Sequence, residues 1–205
     1  MTEHYFSPQP AGEFTPHPVT LALDGREYEL SAARGVFSAD HVDAGTMVLL
    51  ENAPPPPAEG TLLDLGCGYG PIACALALRS PGSRVIGVDV NERALSLTRA
   101  NAEALGLTNV SAGTPADIPD EQTFDRIYSN PPIRVGKAVL RETLSLWLAR
   151  LADGGRGYLV VHRNLGSDSL HRWLQEQGHD TTRLVSVRGF RVLEVRGQDT
   201  ARCDP

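Results

Sequence analysis

The sequence predicts an α/β protein: a three-layer, doubly wound, seven-stranded and mostly parallel sheet with an antiparallel C-terminal hairpin, preceded by a short N-terminal β-hairpin arm. Three observations carry this prediction. Short apolar runs alternate with amphipathic segments between residues 61 and 177, which is typical of a parallel sheet covered on both faces. Two extended runs, 181–188 and 190–196, are separated only by Gly189, which indicates an antiparallel pair at a sheet edge. Asp24-Gly25 lies between two alternating runs, as in a tight hairpin.

The elements follow in order along the chain. Strands 19–23 and 26–30 form the hairpin, and a short helix over 45–51 ends before the proline run 54–57. The strands expected after it are 61–66, 84–90, 109–113, 124–129 and 156–162, and the expected helices are 71–79, 92–105, 138–151 and 168–177. We therefore expect two parts: residues 1–57 with an irregular arm, hairpin and short helix, and residues 58–205 as one globular domain.

Composition argues against several classes of protein. A chain of 205 residues that is 41% hydrophobic is long enough to bury one substantial core. It has no run of about 18 apolar residues and no signal-peptide pattern, so we expect neither a membrane span nor a membrane partner. Cys67, Cys74 and Cys203 form no Cys-x-x-Cys pair, which argues against a disulfide scaffold or a zinc site. We expect no metal and a location in the reducing cytoplasm.

The charge is distributed unevenly. Residues 1–125 carry 6 Lys or Arg against 17 Asp or Glu, a net of −11, whereas residues 126–205 carry 13 against 8, a net of +5, which together give −6. Basic charge therefore begins beside the segment Asn130-Pro131-Pro132, and a phosphate-bearing partner there is one interpretation. An arginine-rich surface that only faces solvent is the other.

The segment 64–70 (DLGCGYG) has the form of a ligand-binding turn. An apolar strand leads into three glycines, which allow positive φ and close approach of a ligand, and Pro71 suits the first helical position. Asp89, at the end of the next strand, can accept hydrogen bonds from both hydroxyls of a ribose. A dinucleotide fingerprint fits less well, because Pro71 takes the place of its third glycine and Asp64 would repel a pyrophosphate. A cationic ligand such as an amino or sulfonium group suits Asp64 better.

The segment Asn130-Pro131-Pro132-Ile133 ends the predicted strand 124–129 in a stiff turn. Each proline has a fixed φ and no N–H, so the turn presents one amide side chain beside carbonyl groups with few local donors. Such a turn suits a planar ligand group that carries N–H bonds. A rigid turn with no role beyond ending the strand is the alternative.

Taken in order, these motifs resemble class I S-adenosylmethionine-dependent methyltransferases. The sequence is similar to the methyltransferase small domain group, which includes the ribosomal RNA small subunit methyltransferase C type, over most of residues 30–197. Further matching segments are 35–38 (GVFS), 43–46 (DAGT) and 166–170 (GSDSL). Residues 58–205 would then be the methyltransferase domain.

The resemblance implies a site for S-adenosylmethionine. Asp64, Gly66 and Gly68 would face its methionine part, Asp89 would hold the ribose, and Val90 would lie beside the adenine. Thr46 would bond the cofactor carboxylate, with a role as helix N-cap as the alternative. The full set of cofactor-binding residues implied in this way is Asp64, Gly66, Cys67, Gly68, Gly70, Asp89, Val90, Ala116, Asp117, Thr46 and Asn130.

The resemblance also implies the chemistry of the turn. In the family this motif marks methyltransferases that act on adenine N6, guanine N2 or a glutamine amide. Such a nitrogen is a poor nucleophile, and two acceptors on its N–H bonds, Asn130 Oδ1 and the Pro131 carbonyl, would free its lone pair. The implied catalytic residues are Asn130, Pro131, Pro132 and Ile133. The candidate substrate contacts are Phe37 and the basic residues that follow the turn, Arg134 and Lys137. Ile133 departs from the family, where an aromatic residue often stacks on the base, and core burial is the alternative for Phe37.

The leading hypothesis is therefore an N-methyltransferase acting on an exocyclic amine, guanine N2 of ribosomal or other structured RNA. Three alternatives stay open: another acceptor (DNA adenine, protein glutamine or a small molecule), a non-catalytic cofactor-binding RNA assembly factor, and a dehydrogenase. The sequence leaves both a monomer and a homodimer open.

Overall fold

The computed structural model describes residues 14–38, 40–132 and 136–197. Within these ranges the strands are β1 (His17–Leu23), β2 (Arg26–Ala32), β3 (Glu59–Leu65), β4 (Gly82–Val88), β5 (Val110–Gly113), β6 (Phe124–Ser129), β7 (Leu151–His162), β8 (Thr181–Val187) and β9 (Phe190–Arg196). The helices are α1 (Ala44–Asn52), α2 (Pro71–Arg79), α3 (Glu92–Ala104), α4 (Lys137–Leu148) and α5 (Ser167–Glu176). Among the described residues, no helix has the length and apolar character needed to cross a membrane.

Strands β3 to β9 form one seven-stranded sheet in the order β5-β4-β3-β6-β7-β9-β8. The five strands from β5 to β7 in that order pair in parallel, and β9 pairs antiparallel with both β7 and β8. The predicted fold class, with its antiparallel C-terminal hairpin, is confirmed. The chain reverses direction across the sheet between β3 and β6, where ligands bind in open α/β sheets.

Each face of the sheet is covered by its own hydrophobic cluster. One cluster combines the sheet with α1, α2, α3 and the inner side of the β1–β2 hairpin, and includes Leu21, Leu49 and Leu76. The other packs α4 and α5 on the opposite face through Leu144, Trp147 and other residues. Because one cluster contains residues from both sides of position 57, packing is continuous across the predicted boundary, which itself stays a prediction.

The β1–β2 hairpin is held against the glycine turn by one buried side chain. Its own turn has the expected geometry, with φ of 52° at Asp24 and 76° at Gly25. Asn101 of α3 accepts from Ser31 N (2.7 Å) and donates to Ser31 O (2.9 Å), and it also donates to Tyr69 O (2.8 Å). The hairpin therefore supports residues 66–70 from behind.

The connection between α4 and β7 differs from the sequence-based expectation of a helix over 138–151 and a strand over 156–162. The helix ends at Leu148, and the strand begins at Leu151, which pairs with Phe124. Phe124 N donates to Arg150 O (2.9 Å), so the chain pairs with β6 at this point and does not continue the helix. The glycines at 154 and 155 look like a loop in the sequence, but they lie within β7 where its register with β6 shifts.

Candidate functional site

The predicted site residues meet where β3, β4 and β6 end. The turns after β3 and β6 are neighbours: Ser129 Oγ donates to Leu65 O (2.7 Å), and a Cβ placed on Gly66 would lie 3.8 Å from Pro132 Cδ. Both motifs therefore lie at the point where the chain reverses across the sheet. This position is set by topology, because the carboxyl ends of neighbouring parallel strands share one edge.

The glycine turn 66–70 is held by backbone hydrogen bonds. Gly66 N and Cys67 N both donate to Val88 O, at 2.8 and 3.0 Å. Gly66, Gly68 and Gly70 have φ of 77°, 58° and 88°, which explains the glycine at each position. At Gly70 the space is also limited, since an added Cβ would lie 2.9 Å from Thr98 Cγ2.

Asp64 lies beneath this turn and is fully buried. Its Oδ2 accepts from Ala73 N (2.9 Å) in the first turn of α2, whereas Oδ1 has no hydrogen-bond partner among the described residues. Burial is the main cause that raises the pKa of the Asp64 carboxyl from 3.8 to about 8; the hydrogen bond from Ala73 N opposes this rise, and the charge of Asp89 adds to it. An unpartnered buried carboxyl oxygen fits a cationic or N–H-bearing ligand group that would bind above it.

Asp89 follows β4 and is nearly buried, with 9% of its surface exposed. Its Oδ2 accepts from Gly68 N (3.0 Å) and its Oδ1 from Asn91 N (2.9 Å), so the side chain is fixed in one orientation. Burial raises the pKa of Asp89, against the opposing effect of these backbone hydrogen bonds. Each carboxylate oxygen keeps a further lone pair, which is the capacity that binding a ribose requires. Val90 beside it is exposed.

Asn130 carries an amide whose two ends face different surroundings. Its Nδ2 donates to Asp43 Oδ1 (2.6 Å) and to Thr46 Oγ1 (3.1 Å). Its Oδ1 accepts no hydrogen bond from the part of the chain that the structure describes. The same is true of the Pro131 carbonyl. Both oxygens predicted to accept from a substrate amine are therefore free of described partners.

Thr46 is not a helix N-cap, so the alternative role considered for it is wrong. Asp43 is the N-cap of α1, and its Oδ1 accepts from Gly45 N (2.8 Å) and Thr46 N (3.2 Å). Thr46 is buried inside the first turn, where its hydroxyl contacts Asn130. The proposed bond from Thr46 to a cofactor carboxylate stays a prediction.

A cleft of about 320 Å³, open to solvent, lies between the glycine turn, the start of α1 and Asn130. It is lined by Phe37, Ser38, Asp43, Thr46, Gly66, Cys67, Gly68, Tyr69, Pro71, Ile72 and Asn130. Phe37 is 43% exposed here, so the alternative of a core position for it is wrong. The cleft brings together the glycine turn, Thr46 and Asn130, which the sequence predicted as parts of one site.

Other predicted site residues lie apart from this cleft. Ala116 and Asp117 lie on an exposed turn after β5, where Asp117 Oδ2 accepts from Thr114 N (2.7 Å) and Thr114 Oγ1 (2.8 Å). These hydrogen bonds hold the pKa of Asp117 below its ordinary value. Lys137 is exposed at the start of α4. Ile133 and Arg134 lie outside the described residues.

Cys67 holds the glycine turn through its backbone N–H, which donates to Val88 O. Its thiol is buried and lies 3.6 Å from Thr98 Oγ1, on the side facing α3, and burial raises its pKa well above the ordinary value. Gly70 serves as the N-cap of α2, a position that its φ of 88° allows.

Two residues of the site were not predicted as such. Asp43 was noted only within the matching segment 43–46, although an Asp before a short helix is an N-cap signal. Asn91 caps α3, and its Nδ2 donates to Gly35 O (2.9 Å), which ties the loop carrying Phe37 to the end of β4. The spacing of 56 residues gives no sequence signal for that contact.

Comparison with known proteins identifies the family. The model of the methyltransferase small domain family matches residues 27–194. The chain belongs to the methyltransferase small domain family. This membership confirms the predicted resemblance and the predicted class of enzyme, a methyltransferase that uses S-adenosylmethionine.

The relatives of this chain differ in the share of their own length that the chain spans. It is 32% identical over 199 residues to the uncharacterized protein YbxB of Bacillus subtilis, covering 96% of this chain and 99% of that protein. It is 37% identical over 140 residues to the ribosomal RNA small subunit methyltransferase C of Aeromonas hydrophila, covering 67% of this chain and 40% of the relative.

A solved structure is similar over most of the chain. It is the 16S rRNA N2 methyltransferase RsmC of T. thermophilus, in complex with AdoMet and guanosine. The TM-score is 0.78 at 28% sequence identity, covering 89% of this chain and 51% of the other. The chain thus spans about half the length of the ribosomal RNA methyltransferases that it matches.

Proposed function

We propose that this protein is an S-adenosylmethionine-dependent N-methyltransferase that acts on an exocyclic amine in ribosomal RNA, guanine N2 in particular. The observation that carries the proposal is the orientation of the Asn130 amide. Its Nδ2 donates to Asp43 Oδ1 and Thr46 Oγ1, and its Oδ1 accepts from none of the described residues. The oxygen can therefore accept a hydrogen bond from an N–H group of a substrate. An exocyclic amine is such a donor.

The residues of the cleft fit S-adenosylmethionine. When bound, this cofactor supplies a methyl group on a positively charged sulfur. The glycine turn allows close approach of the cofactor at Gly66 and Gly68, and Asp64 Oδ1 beneath the turn, which has no hydrogen-bond partner among the described residues, suits its cationic end. Asp89 is held rigidly with lone pairs to spare for ribose hydroxyls. The adenine contacts proposed for Val90, Ala116 and Asp117 rest on the family resemblance, and all three residues are exposed after β4 and β5.

Asn130 and Pro131 would act on the acceptor amine. Asn130 Oδ1 and the Pro131 carbonyl would each accept a hydrogen bond from one of the two N–H groups of the amine, which holds the nitrogen in place and draws its geometry toward tetrahedral. The lone pair, otherwise shared with the ring, is then available to the methyl carbon. Such positioning of two reactants can contribute about 7–11 kcal/mol to lowering a barrier, and it requires no strong base.

Three observations favour an RNA acceptor. The relative from Aeromonas hydrophila is named as a ribosomal RNA methyltransferase, and the RsmC of T. thermophilus was solved with AdoMet and guanosine. Net charge is +5 over residues 126–205, which begin beside Asn130. Lys137 is exposed at the start of α4, where an RNA phosphate would meet both its charge and the helix N-terminus. Arg134 is proposed as a second phosphate contact from its sequence position.

Phe37 is proposed as a contact for the acceptor base. It is exposed in the cleft that also contains Asn130, so it could offer an aromatic face that Ile133 lacks. A cytoplasmic location follows from an RNA acceptor and stays a prediction. The choice between monomer and homodimer is open.

Transfer of a labelled methyl group tests the proposal. Small ribosomal subunits, large ribosomal subunits, duplex DNA and a protein release factor, all from a strain lacking this gene, would be offered separately. We expect labelling of ribosomal RNA, at a guanine N2 by mass spectrometry, and loss of labelling in N130A with cofactor affinity retained in calorimetry. N109A is the matched control. Asn109 Nδ2 donates to Ser83 O (2.8 Å) just before β5, at the amino ends of the parallel strands, whereas Asn130 lies at their carboxyl ends.

Two outcomes would change the conclusion. Methyl transfer by N130A at the rate of N109A would contradict the role of the amide. Labelling of DNA or of the release factor in place of RNA would assign the acceptor to adenine or glutamine.

A further inference from the structure

The amide of Asn130 is held by a carboxylate from a distant part of the chain. Asp43 lies 87 residues before Asn130, and its Oδ1 accepts from Asn130 Nδ2 at 2.6 Å. A second acceptor for this NH₂ group among the described residues is Thr46 Oγ1, at 3.1 Å. Both hydrogens of the amide therefore have partners on the first turn of α1.

This contact fixes which end of the amide faces the cleft. An ionised carboxylate has no hydrogen to donate, so the NH₂ end of Asn130 must point toward Asp43. The oxygen then points away from α1. A hydrogen bond to a charged acceptor is stronger than one between neutral groups, which also disfavours a flipped amide. The contact further polarises the amide, so that its oxygen becomes a better acceptor.

Asp43 is itself held in place. The same Oδ1 accepts from Gly45 N and Thr46 N as the N-cap of α1. The helix has little freedom to shift, because Val48 and Leu49 are fully buried and a Cβ on Gly45 would lie 2.9 Å from Phe190 Cε1. The position of the carboxylate is therefore set by the core of the protein.

We propose that Asp43 is a positioning residue for the acceptor amine: it holds the Asn130 amide with its oxygen toward the cleft. This inference rests on the proposed function, in which that oxygen accepts from the amine. Without Asp43 the amide is free to flip and to present its NH₂ group to the N–H bonds of the substrate. A donor would then face a donor, and the amine would not be held.

Two substitutions separate this role from the capping of α1. Asp, Asn and Ser are similarly good N-caps, so D43N and D43S should both keep the helix. In D43N the new amide oxygen can cap α1 and also accept from Asn130, whereas the shorter side chain in D43S cannot reach both. We expect kcat for ribosomal RNA to fall about 100-fold in D43S, as for a misplaced reacting group, and to stay within a few-fold of wild type in D43N.

The matched control is N52A. Asn52 Nδ2 donates to Val48 O (2.8 Å) near the other end of α1, so its loss perturbs the helix without touching Asn130. We expect N52A to lower the thermal unfolding temperature at least as much as D43S while leaving kcat unchanged. Affinity for S-adenosylmethionine, measured by calorimetry, should be similar in all variants.

A second measurement does not depend on the acceptor. In NMR spectra of the cofactor-free protein, the Asn130 side-chain NH₂ signals should shift in D43S and exchange faster with solvent, but stay in place in N52A. Unchanged signals in D43S, or a stable D43S with the kcat of wild type, would overturn the inference. If the wild-type protein transferred no methyl group to RNA, the proposed function would fail, and the NMR comparison would still decide the role of Asp43.

Discussion

Replacement of Asp64 by Asn should change how the stability of the protein depends on pH. The carboxyl is fully buried, and burial raises its pKa from 3.8 to about 8. Below about pH 4 it is protonated in both the folded and the unfolded chain. Between about pH 4 and pH 8 the unfolded chain releases the proton and the folded protein keeps it, so the free energy of unfolding falls as pH rises.

The expected size follows from this difference in bound protons. One proton changes the free energy of unfolding by about 1.4 kcal/mol per pH unit, or about 4 kcal/mol between pH 5 and pH 8. D64N has no such proton, so its stability relative to wild type should rise across this range.

Urea unfolding at pH 5, 6, 7 and 8, without cofactor, measures the effect. D117N is the control: Asp117 is exposed and its pKa lies below the ordinary value, so it is ionised in both states throughout this range. We expect D117N to follow the wild-type dependence on pH. Parallel curves for wild type and D64N would refute the reasoning, because they would mean that Asp64 is ionised in the folded protein.

Two further predictions concern the same turn. First, if a cationic cofactor binds above Asp64, the carboxyl should release its proton on binding at pH 7; the calorimetric enthalpy should then differ between phosphate and Tris buffers for wild type but not for D64N, and equal enthalpies for wild type would contradict this coupling. Second, G70A should lower the free energy of unfolding by about 1–3 kcal/mol more than G106A. Both glycines have positive φ, but a Cβ at position 70 would lie 2.9 Å from Thr98 Cγ2, whereas nothing lies within 4 Å at position 106. Equal losses in urea unfolding would show that Thr98 moves aside freely.

The alternation of apolar and amphipathic segments was enough to predict the sheet. Four of the five parallel strands, and the helices that follow them, were expected within a few residues of their observed bounds, and the Gly189 hairpin placed β8 and β9 correctly at the antiparallel edge. The exception was the start of β7. Two glycines there look like a loop, and only pairing of Leu151 with Phe124 reveals a strand. Pairing between distant segments leaves no local pattern that a sequence could show.

The site was predictable to a similar extent. Glycines at 66, 68 and 70 and the acidic residue that ends β4 are local signals, because a turn with positive φ and a strand end each favour particular residue types. The burial of Asp64 was not predictable, since the sequence suggested a carboxylate facing a ligand, and the structure places it beneath the turn. The contact between Asp43 and Asn130 was also out of reach, because each residue has a sufficient local explanation, as an N-cap and as the end of a strand.

That contact bears on how the chain is organised. The motifs that bind and position ligands in the proposed function, the glycine turn, Asp89 and Asn130, all follow residue 57. Yet the Asn130 amide is held by Asp43 and Thr46, and the end of β4 is tied through Asn91 to the loop of Phe37. The hairpin supports the glycine turn through Asn101 in the same way. The N-terminal segment therefore does more than cover one face of the sheet: it sets the orientation of groups on which the proposed chemistry depends.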